Sequence, residues 1–403
     1  MKKLSKKAKN QLFSFLFLFL LIGITLTVLL LSYQELNFKN IFDFIKHSKW
    51  WLLVIAVVCM IAGVVFEGLS LFVISRKLEK KGKVLPSIAY SSADIYYSAI
   101  TPSASGGQPA AAYYMVKDGM SAGSASFTLV FNTVAYTASL IILTVFAFCL
   151  RPAMFVQFPF WAKFFIILGV VIQVILLLFL FGCMRFDKAV LKCGNGIISF
   201  LAKIRIVKNT EKWKNKVASE VGKYAVCFQE IKKHKWLFIE ALVFNTLQRV
   251  VRIIISCCIC LAYDPEISFW SVFALQSFVI VGYTSLPVPG GVGAFEYLYL
   301  NIYGIIIPDT HVILSAMMVM RVISYYLSIV VTGAVTLSYH IYIKKRKRAP
   351  LADQTDQAEE QPSDEAETPT DEQPADADTE QPEVTEEVTE EINEEIEKEE
   401  TRE

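Results

Sequence analysis

Several patterns that mark well-known enzyme classes are missing from this chain of 403 residues. It has no H-E-x-x-H zinc-protease motif and no G-x-x-x-x-G-K-[ST] loop for cradling nucleotide phosphates. Only four histidines occur, all expected in loops or at the ends of apolar runs: His47, His234, His311 and His340. We therefore expect no direct coupling to ATP, no metal-dependent hydrolysis, no cofactor and no nucleic-acid partner.

The eight cysteines do not suggest a disulfide framework, because they are scattered along the chain. Most of them fall within apolar runs, as Cys257, Cys258 and Cys260 do. No histidine or second cysteine pair accompanies these three residues. They are better explained as small buried hydrophobic side chains than as metal ligands.

Charge is absent from the first long apolar run, which covers the twenty residues from Leu12 to Leu31. That length matches the ~20 residues needed to cross ~30 Å of hydrocarbon. The run is too long for the core of a signal peptide and no small-residue cleavage site follows it, so we predict an uncleaved span. Further full spans are predicted near 50–75, 121–150, 160–184, 236–263 and 311–343. The sequence therefore predicts an all-α polytopic membrane protein.

The formal net charge of +1 conceals two regions of opposite sign. Residues 350–403 carry 23 acidic and two basic residues, no aromatic residue, and much Pro, Gln and Thr. Residues 1–349 carry 37 Lys and Arg against 15 Asp and Glu. We predict a membrane domain at 1–348 and a disordered, acidic cytoplasmic tail at 349–403.

Basic loops identify the cytoplasmic side of the membrane. They occur at the N-terminus and at 76–83, 185–235 and 344–348. Both termini are therefore predicted to be cytoplasmic. With six full spans, residues 84–116 must begin and end inside, and residues 268–307 must begin and end outside. We predict that each is a re-entrant hairpin with two arms of roughly 14–18 residues, too short to cross the bilayer.

The two hairpin segments contain similar breaks, TPSASGGQP at 101–109 and LPVPGGVGAFE at 286–296. In each, a glycine pair is followed by Ala and Tyr four and seven residues after its first glycine. Related segments that enter from opposite faces indicate an inverted-topology repeat, and transporters build substrate sites from such breaks. The candidate binding residues in the breaks are Pro102, Gly106, Gly107, Gln108, Pro109, Pro289, Gly290 and Gly291.

Ionisable and amide side chains within the spans supply further candidates. Asn245, Arg249 and Arg252 are four and seven residues apart, which places them on one helix face. The two arginines could extend outward to lipid phosphates or form a buried phosphate-binding face, and the spacing does not decide between these.

Three more charged residues lie in apolar surroundings. Arg321 lies well inside the last span, where a role facing the helix bundle is favoured. Glu67 lies in the second span and Glu296 directly follows the second break. Glu296 could pair with an arginine, attract a cationic headgroup or carry a proton, and the sequence does not rank these roles.

The two Gly-Gly segments, at this separation in a polytopic chain, closely resemble the flippase-like transmembrane domain of lysylphosphatidylglycerol synthases. The resemblance covers roughly residues 10–345. It implies a chain in a bacterial-type plasma membrane that moves a phospholipid or aminoacyl-phospholipid, such as lysylphosphatidylglycerol, between leaflets. In this hypothesis Arg249, Arg252 and Arg321 compensate the phosphate, and Gln108 and the amides of the breaks donate hydrogen bonds to it.

Other functions stay open. Bifunctional members of the family carry a separate soluble domain that transfers lysine from lysyl-tRNA to the lipid. The acidic residues after Arg348 do not suggest such a domain, although the family name would make the chain a phosphatidylglycerol lysyltransferase that confers resistance to cationic antimicrobial peptides. A headgroup transferase that uses carboxylates, or an assembly partner of a separate lipid or glycan synthase, are the alternatives. No oligomeric state is predicted.

Overall fold

A computed structural model describes residues 38–79, 82–101, 104–185, 219, 226–229, 231, 233–284, 291 and 293–359. Within this part of the chain the secondary structure is helical, without strands, which confirms the all-α prediction. The helices are α1 (Phe38–His47), α2 (Trp50–Glu79), α3 (Val84–Ile100), α4 (Gly107–Lys117), α5 (Ala122–Leu150), α6 (Pro152–Gln157), α7 (Phe160–Arg185), α8 (Lys235–Tyr263), α9 (Phe269–Thr284), α10 (Ala294–Tyr303), α11 (Thr310–Arg321) and α12 (Ser328–Glu359), with a π-helical segment (Val322–Leu327) joining the last two.

Five helical stretches are long and apolar enough to cross a membrane. They are Trp50–Glu79, Ala122–Leu150, Phe160–Gly182, Trp236–Tyr263 and Thr310–Arg346. These coincide with five of the six predicted full spans and confirm a polytopic membrane protein. The predicted span at 12–31 lies outside the described residues.

Both interrupted segments are pairs of short helices that pack against each other, α3 with α4 and α9 with α10. Their first arms have 17 and 16 residues, about 25 Å of helix each. Their second arms have 11 and 10 residues, about 16 Å, which is shorter than predicted. Local turn chemistry explains the early ends: Gly119 follows α4 with φ of 95°, and the turn at Gly304–Ile306 ends α10.

The order long helix, two short helices, long helix occurs twice, as α2 to α5 and as α8 to α12. The packing is repeated as well. The contacts of α2 with α3, of α4 with α5 and of α2 with α5 correspond to those of α8 with α9, of α10 with α11 and of α8 with α11. The two sets join where α2 packs along α8. This is the helix arrangement that a structural repeat requires; entry of the two hairpins from opposite membrane faces stays a prediction.

Close helix approach depends on two glycines in the spans. A Cβ at Gly68 of α2 would lie 2.8 Å from the Ile88 Cα of α3, and a Cβ at Gly169 of α7 would overlap the carbonyl of Val281 in α9. Small residues allow backbones to approach in this way in membrane helices. The two hairpins therefore lie directly against the long helices.

Residues 38–345 of the described chain belong to one compact unit, and the segment from Arg346 to Glu359 belongs to a second. The backbone of α12 is helical to Glu359, past the domain boundary predicted at residue 348. Residues 360–403 of the disordered tail predicted at 349–403, and most of the predicted basic loop at 185–235, lie outside the described residues. The features that follow all belong to the first unit.

Candidate functional site

A cavity with two adjoining chambers, lined by both polar and apolar side chains, lies between the hairpins. The small chamber has a volume of about 170 Å³ and the large chamber about 690 Å³. The residues that line both are Tyr136, Arg252, Tyr283, Thr284, Ser324, Tyr325 and Ser328. Arg249, Gln276 and Arg321 line only the small chamber, and Glu67, Asp94, Ser98, Gln108, Asn132, Gln248 and Gly291 line only the large one.

Both helix breaks contribute to the wall of the large chamber. Ala104 and Ser105 come from the break between α3 and α4, and Gln108 from the first turn of α4. Thr284 ends α9, and Gly291 lies in the break before α10. Irregular backbone in a membrane protein is tolerated where it lines a cavity. The placement of the two breaks follows this rule.

The first break is held by glycine packing and neutral hydrogen bonds. A Cβ at Gly107 would overlap the Ser98 Oγ, the Asp94 Oδ1 and the Asp94 carbonyl, so only glycine lets α4 start against α3 here. The Gly106 N–H donates to Thr101 Oγ1 at 2.9 Å, and the Ser98 hydroxyl donates to Asp94 Oδ1 at 3.1 Å. The Gly106 amide is thus engaged within the protein, whereas Asp94 is held at the chamber wall.

Gln108 and Pro109 follow the glycine pair in the first turn of α4 and both line the large chamber. Proline is tolerated there because the first N–H groups of a helix have no intrahelical acceptor. The Gln108 amide donates to Thr133 Oγ1 of α5 at 2.8 Å. Gln108 therefore joins the first hairpin to α5 as well as facing the chamber.

The second break is fixed by a buried ion pair. Arg321 Nε and Nη2 donate to Glu296 Oε1 at 2.8 and 2.7 Å, and Glu296 Oε2 accepts from the Gly293 N–H at 2.6 Å. Arg321 Nη2 also lies 3.4 Å from the carbonyl oxygen of Gly291. Gly291 has a φ of 65°, and a Cβ there would overlap the ring of Tyr283. Of the three roles open for Glu296, the structure shows the pairing with an arginine.

Arg249 has a different environment, although it is equally buried. It lies near the middle of α8 and is 3% exposed. Its guanidinium carbon lies 3.5 Å from the centroid of the Tyr136 ring, a cation–π contact. Its Nε and Nη2 atoms have no hydrogen-bond partner among the described residues. A buried arginine with unused donors at the wall of a cavity is a strong sign of an anion site.

Arg252 and Glu67 form a loose pair next to Arg249. Arg252 Nη2 lies 3.9 Å from Glu67 Oε2, and the Arg252 side chain is 35% exposed. Glu67 accepts a shorter hydrogen bond, 2.7 Å, from the Gln248 amide. Because Arg252 lines both chambers, its guanidinium can interact with a ligand in either one.

Asn245 shares the helix face of the two arginines but does not line either chamber. Its amide nitrogen donates to Ser70 Oγ, Asn132 Oδ1 and the Ala241 carbonyl at 2.8–3.0 Å. Ser70 also donates to Asn132 Oδ1 at 2.6 Å. This buried cluster joins α2, α5 and α8, as polar side chains commonly do between membrane helices.

The π-helical segment brings the hairpins together in the last span. Arg321, directly before it, binds the second break, and within it the Tyr325 hydroxyl donates to the Ala99 carbonyl of α3 at 3.2 Å. Ser324 and Tyr325 line both chambers. Short π segments within α-helices occur frequently at functional sites. The sequence of 311–343 contains no proline or glycine near Val322–Leu327 that would have predicted this irregularity.

The cavity brings together seven of the residues that the sequence singled out: Glu67, Gln108, Pro109, Arg249, Arg252, Gly291 and Arg321. Pro102, Pro289 and Gly290 lie outside the described residues. Sequence reasoning missed Asp94, Tyr136 and Tyr283. Asp94 could have been found as the one carboxylate in the predicted hairpin at 84–116, by the criterion that selected Glu67. No sequence pattern identifies Tyr136 and Tyr283 as cavity residues, because aromatic residues are common in apolar spans.

A G-x-S-x-G sequence at Gly119–Gly123 matches the pattern of a hydrolase nucleophile. In that fold the serine lies between a strand and a helix, but here it follows helix α4. The Ser121 hydroxyl caps α5 by accepting from the Ser124 N–H at 3.1 Å, and the Ser121 N–H donates to Glu79. The serine therefore has a structural role at a helix start.

The chemistry that the cavity offers comes from guanidinium, carboxylate, amide and phenol groups. In the described part of the chain, no three His, Cys, Asp or Glu side chains are grouped to hold a metal ion. Both signs of charge are present, and Arg252 Nη2 lies 3.9 Å from Glu67 Oε2. A ligand in these chambers is therefore expected to be polar and charged.

Comparison with protein-family models identifies the same relationship that the Gly-Gly segments suggested. The model described as "Lysylphosphatidylglycerol synthase TM region" matches residues 16–332, most of the chain. The chain belongs to this family. No curated protein and no solved structure matches the chain. The match covers both hairpins and every cavity residue named above.

Proposed function

We propose that the chain binds the headgroup of a phospholipid or aminoacyl-phospholipid in the two chambers and moves the lipid between membrane leaflets. The observation that carries the proposal is Arg249, buried at the chamber wall with two unused donor nitrogens. A phosphate would accept from these nitrogens and from Arg252, with the geometry that guanidinium groups favour. Membership of the lysylphosphatidylglycerol synthase family adds an aminoacylated lipid as a candidate cargo.

Two features of the fold support movement of the lipid rather than static binding. Both hairpins end at the same cavity, and such paired breaks occur at the substrate sites of transporters. In addition, the large chamber is wide enough for a headgroup while the acyl chains stay among the apolar helix surfaces outside. We place the protein in the plasma membrane with both termini in the cytoplasm, in agreement with the distribution of basic loops.

The test is reconstitution of the full chain into liposomes that contain lipids with fluorescent acyl chains. Chemical bleaching of the outer leaflet then reports how fast lipids move from the inner one. We expect faster movement than in protein-free liposomes, and its loss in Arg249→Gln, which keeps hydrogen-bonding capacity but removes the charge. Arg76→Gln, at the exposed end of α2, is the matched control. Unchanged movement in folded Arg249→Gln would overturn the phosphate role.

A further inference from the structure

The last span contacts the two hairpins on either side of the start of its π-helical segment. Arg321, directly before the segment, forms the buried ion pair with Glu296 of the second hairpin. Tyr325, within the segment, donates to the Ala99 carbonyl of the first hairpin at 3.2 Å. The segment therefore lies between the part of the last span that is tied to the second hairpin and the part that meets the first.

Helix α12 contacts the first hairpin at two further positions. A Cβ at Gly333 would lie 2.9 Å from the Tyr96 ring of α3, so a side chain there would displace that ring. Closer to the end of the span, the Tyr339 hydroxyl donates to Asp118 Oδ2 at 2.5 Å. Contacts with the first hairpin therefore extend from the π-helical segment, which lines the cavity, to the residue that follows α4.

Asp118 joins both arms of the first hairpin to the last span. Its Oδ2 atom accepts from Tyr339 of α12 and also, at 2.5 Å, from the hydroxyl of Tyr90 in α3. The rings of the two tyrosines meet edge to face, with centroids 6.2 Å apart. Hydrogen bonds to a carboxylate are stronger than those between neutral groups. We call Tyr90, Asp118 and Tyr339 the latch.

The backbone form of the π-helical segment decides whether the latch can close. A π-helical turn bonds residues five apart and so holds more residues than an α-helical turn. Because an α-helix turns about 100° per residue, loss of this irregularity would rotate α12 by roughly that angle relative to α11. Arg321 fixes α11 to the second hairpin, so the rotation would carry Tyr339 away from Asp118. The π-helical form thus keeps the contacts with both hairpins in place together.

We infer that the π-helical segment and the latch form a switch that couples the two hairpins. With the segment π-helical, the latch is closed and the first hairpin lies against the last span. With the segment α-helical, the latch is open and the cavity wall between them parts. Tyr90, Asp118 and Tyr339 do not line either chamber and act as positioning residues. This inference rests on the proposed function, since movement of a lipid requires the cavity to open and close.

The first experiment measures opening of the cavity without any movement of lipid. Ser328 lines both chambers and is 5% exposed, so Ser328→Cys in a background without cysteine reports the access of a charged thiol reagent to the full chain in detergent. Tyr339→Phe keeps the ring but removes the donor. It should raise the reaction rate about tenfold or more, the effect of losing one hydrogen bond to a charged group.

A second variant and a control make this result specific. Asp118→Asn keeps the shape of the side chain but removes its charge, so it should raise the reaction rate of the Ser328 reporter as well. Tyr342→Phe removes a hydroxyl from the same end of α12, where the side chain is 56% exposed, and should leave the rate unchanged. An unchanged rate in both Tyr339→Phe and Asp118→Asn would overturn the latch.

The second experiment joins the latch covalently. In the chain with Asp118→Cys and Tyr339→Cys, a short, reducible bifunctional thiol reagent should slow movement of the fluorescent lipid at least about tenfold, as expected when a step of the cycle is blocked. A reductant should restore the movement. The chain with Tyr339→Cys alone, treated in the same way, is the control. A contact with only a structural role would tolerate the link, so undiminished movement in the linked chain would overturn the switch.

The yield of this link also tests the π-helical segment. Deletion of Val322, which is 51% exposed within the segment, removes one residue and should rotate α12. The yield of the link between positions 118 and 339 should then fall several-fold. Val322→Ala keeps the length of the segment and should leave the yield unchanged. An equal yield in the deletion variant would show that the segment does not set the position of the latch.

These measurements separate the switch from the proposal of movement. If wild type moves no lipid, but the Ser328 reporter and the yield of the link respond as expected, movement is wrong and the switch is supported. If movement is fast in wild type and in the linked chain, and the reporter ignores Tyr339 and Asp118, the switch is wrong and the proposed function is untouched.

Discussion

The two hairpins have the same helix order and similar Gly-Gly breaks, but they are held in place by different interactions. The second break is tied to α11 by the buried pair of Arg321 and Glu296, with Gly293 and Gly291 as further partners. The first break is held by the packing of Gly107 against α3 and by neutral hydrogen bonds. Its polar side chains, including Asp94, line the large chamber.

This difference distinguishes charged side chains that are paired within the fold from charged side chains that are available to a ligand. Arg321 and Arg249 are similarly buried, yet the first has an ionic partner and the second has unused donors. An ionisable residue in a membrane helix is a functional candidate by default, but its partners decide its role. We therefore regard the second hairpin as the fixed side of the cavity and the first as the side that carries ligand-facing groups.

The largest expected effect, labelling or full protection of single cysteines, concerns the membrane faces from which the two hairpins enter. In a background without cysteine, Cys substituted for Lys83 or Lys117 should be protected from an impermeant thiol reagent on intact cells. Cys substituted for Asp264 or Asp309 should be labelled, because these residues flank the second hairpin outside. Labelling at Lys117, or protection at Asp264, would contradict the inverted repeat and remove the basis for comparing the hairpins as opposed halves.

The largest expected change in stability comes from Glu296→Gln. It leaves the buried Arg321 guanidinium without its charge partner, and breaking such a pair destabilises by about 3–5 kcal/mol. Thermal unfolding in detergent should show a clear loss of stability, whereas the control Glu240→Gln, at an exposed position of α8, should show none. The double variant Glu296→Gln with Arg321→Met should recover part of the loss, since neither charge then remains. No change in Glu296→Gln would mean that the pair does not fix the second break.

A smaller effect is expected at the first break. Gly107→Ala places a Cβ against Ser98 and Asp94, and such overpacking costs about 1–3 kcal/mol. Gly182→Ala is the matched control, because a Cβ there meets open space in helix α7. If both alanine variants unfold at the same temperature, the close packing of α4 on α3 does not stabilise the protein.

The smallest change in stability is expected for Arg252→Gln. Its contact with Glu67 is long, at 3.9 Å, and the Arg252 side chain is 35% exposed to solvent, so we expect the pair to contribute less than about 1 kcal/mol. The thermal unfolding temperature should barely change, while movement of the fluorescent lipid should slow because its phosphate loses one guanidinium. A stability loss as large as that of Glu296→Gln would show that Arg252 belongs with the structural charges.

Several features of the fold were predictable because they depend on local composition. Long apolar runs predicted five spans that the structure describes, and the paired Pro-Gly segments predicted breaks at two positions. The clustering of Arg249, Arg252, Arg321 and Glu67 followed from the cost of placing charge among apolar residues. Asn245 has the same helical spacing, yet its amide donates hydrogen bonds to Ser70 and Asn132 on neighbouring helices. Spacing along one helix shows which residues share a face, but it does not show which residues pack against that face.

The sequence by itself determined that this protein is a helical membrane protein of the lysylphosphatidylglycerol synthase family, since hydrophobic length and Gly-Gly segments are properties of the chain. Only the tertiary structure decided which charges are paired. Glu296 lies 25 residues from Arg321 and reaches it through the turn at Gly293, whereas Arg249 meets a tyrosine ring and a cavity. Ion pairing depends on distances of a few ångströms between helices, and no spacing along one helix specifies those.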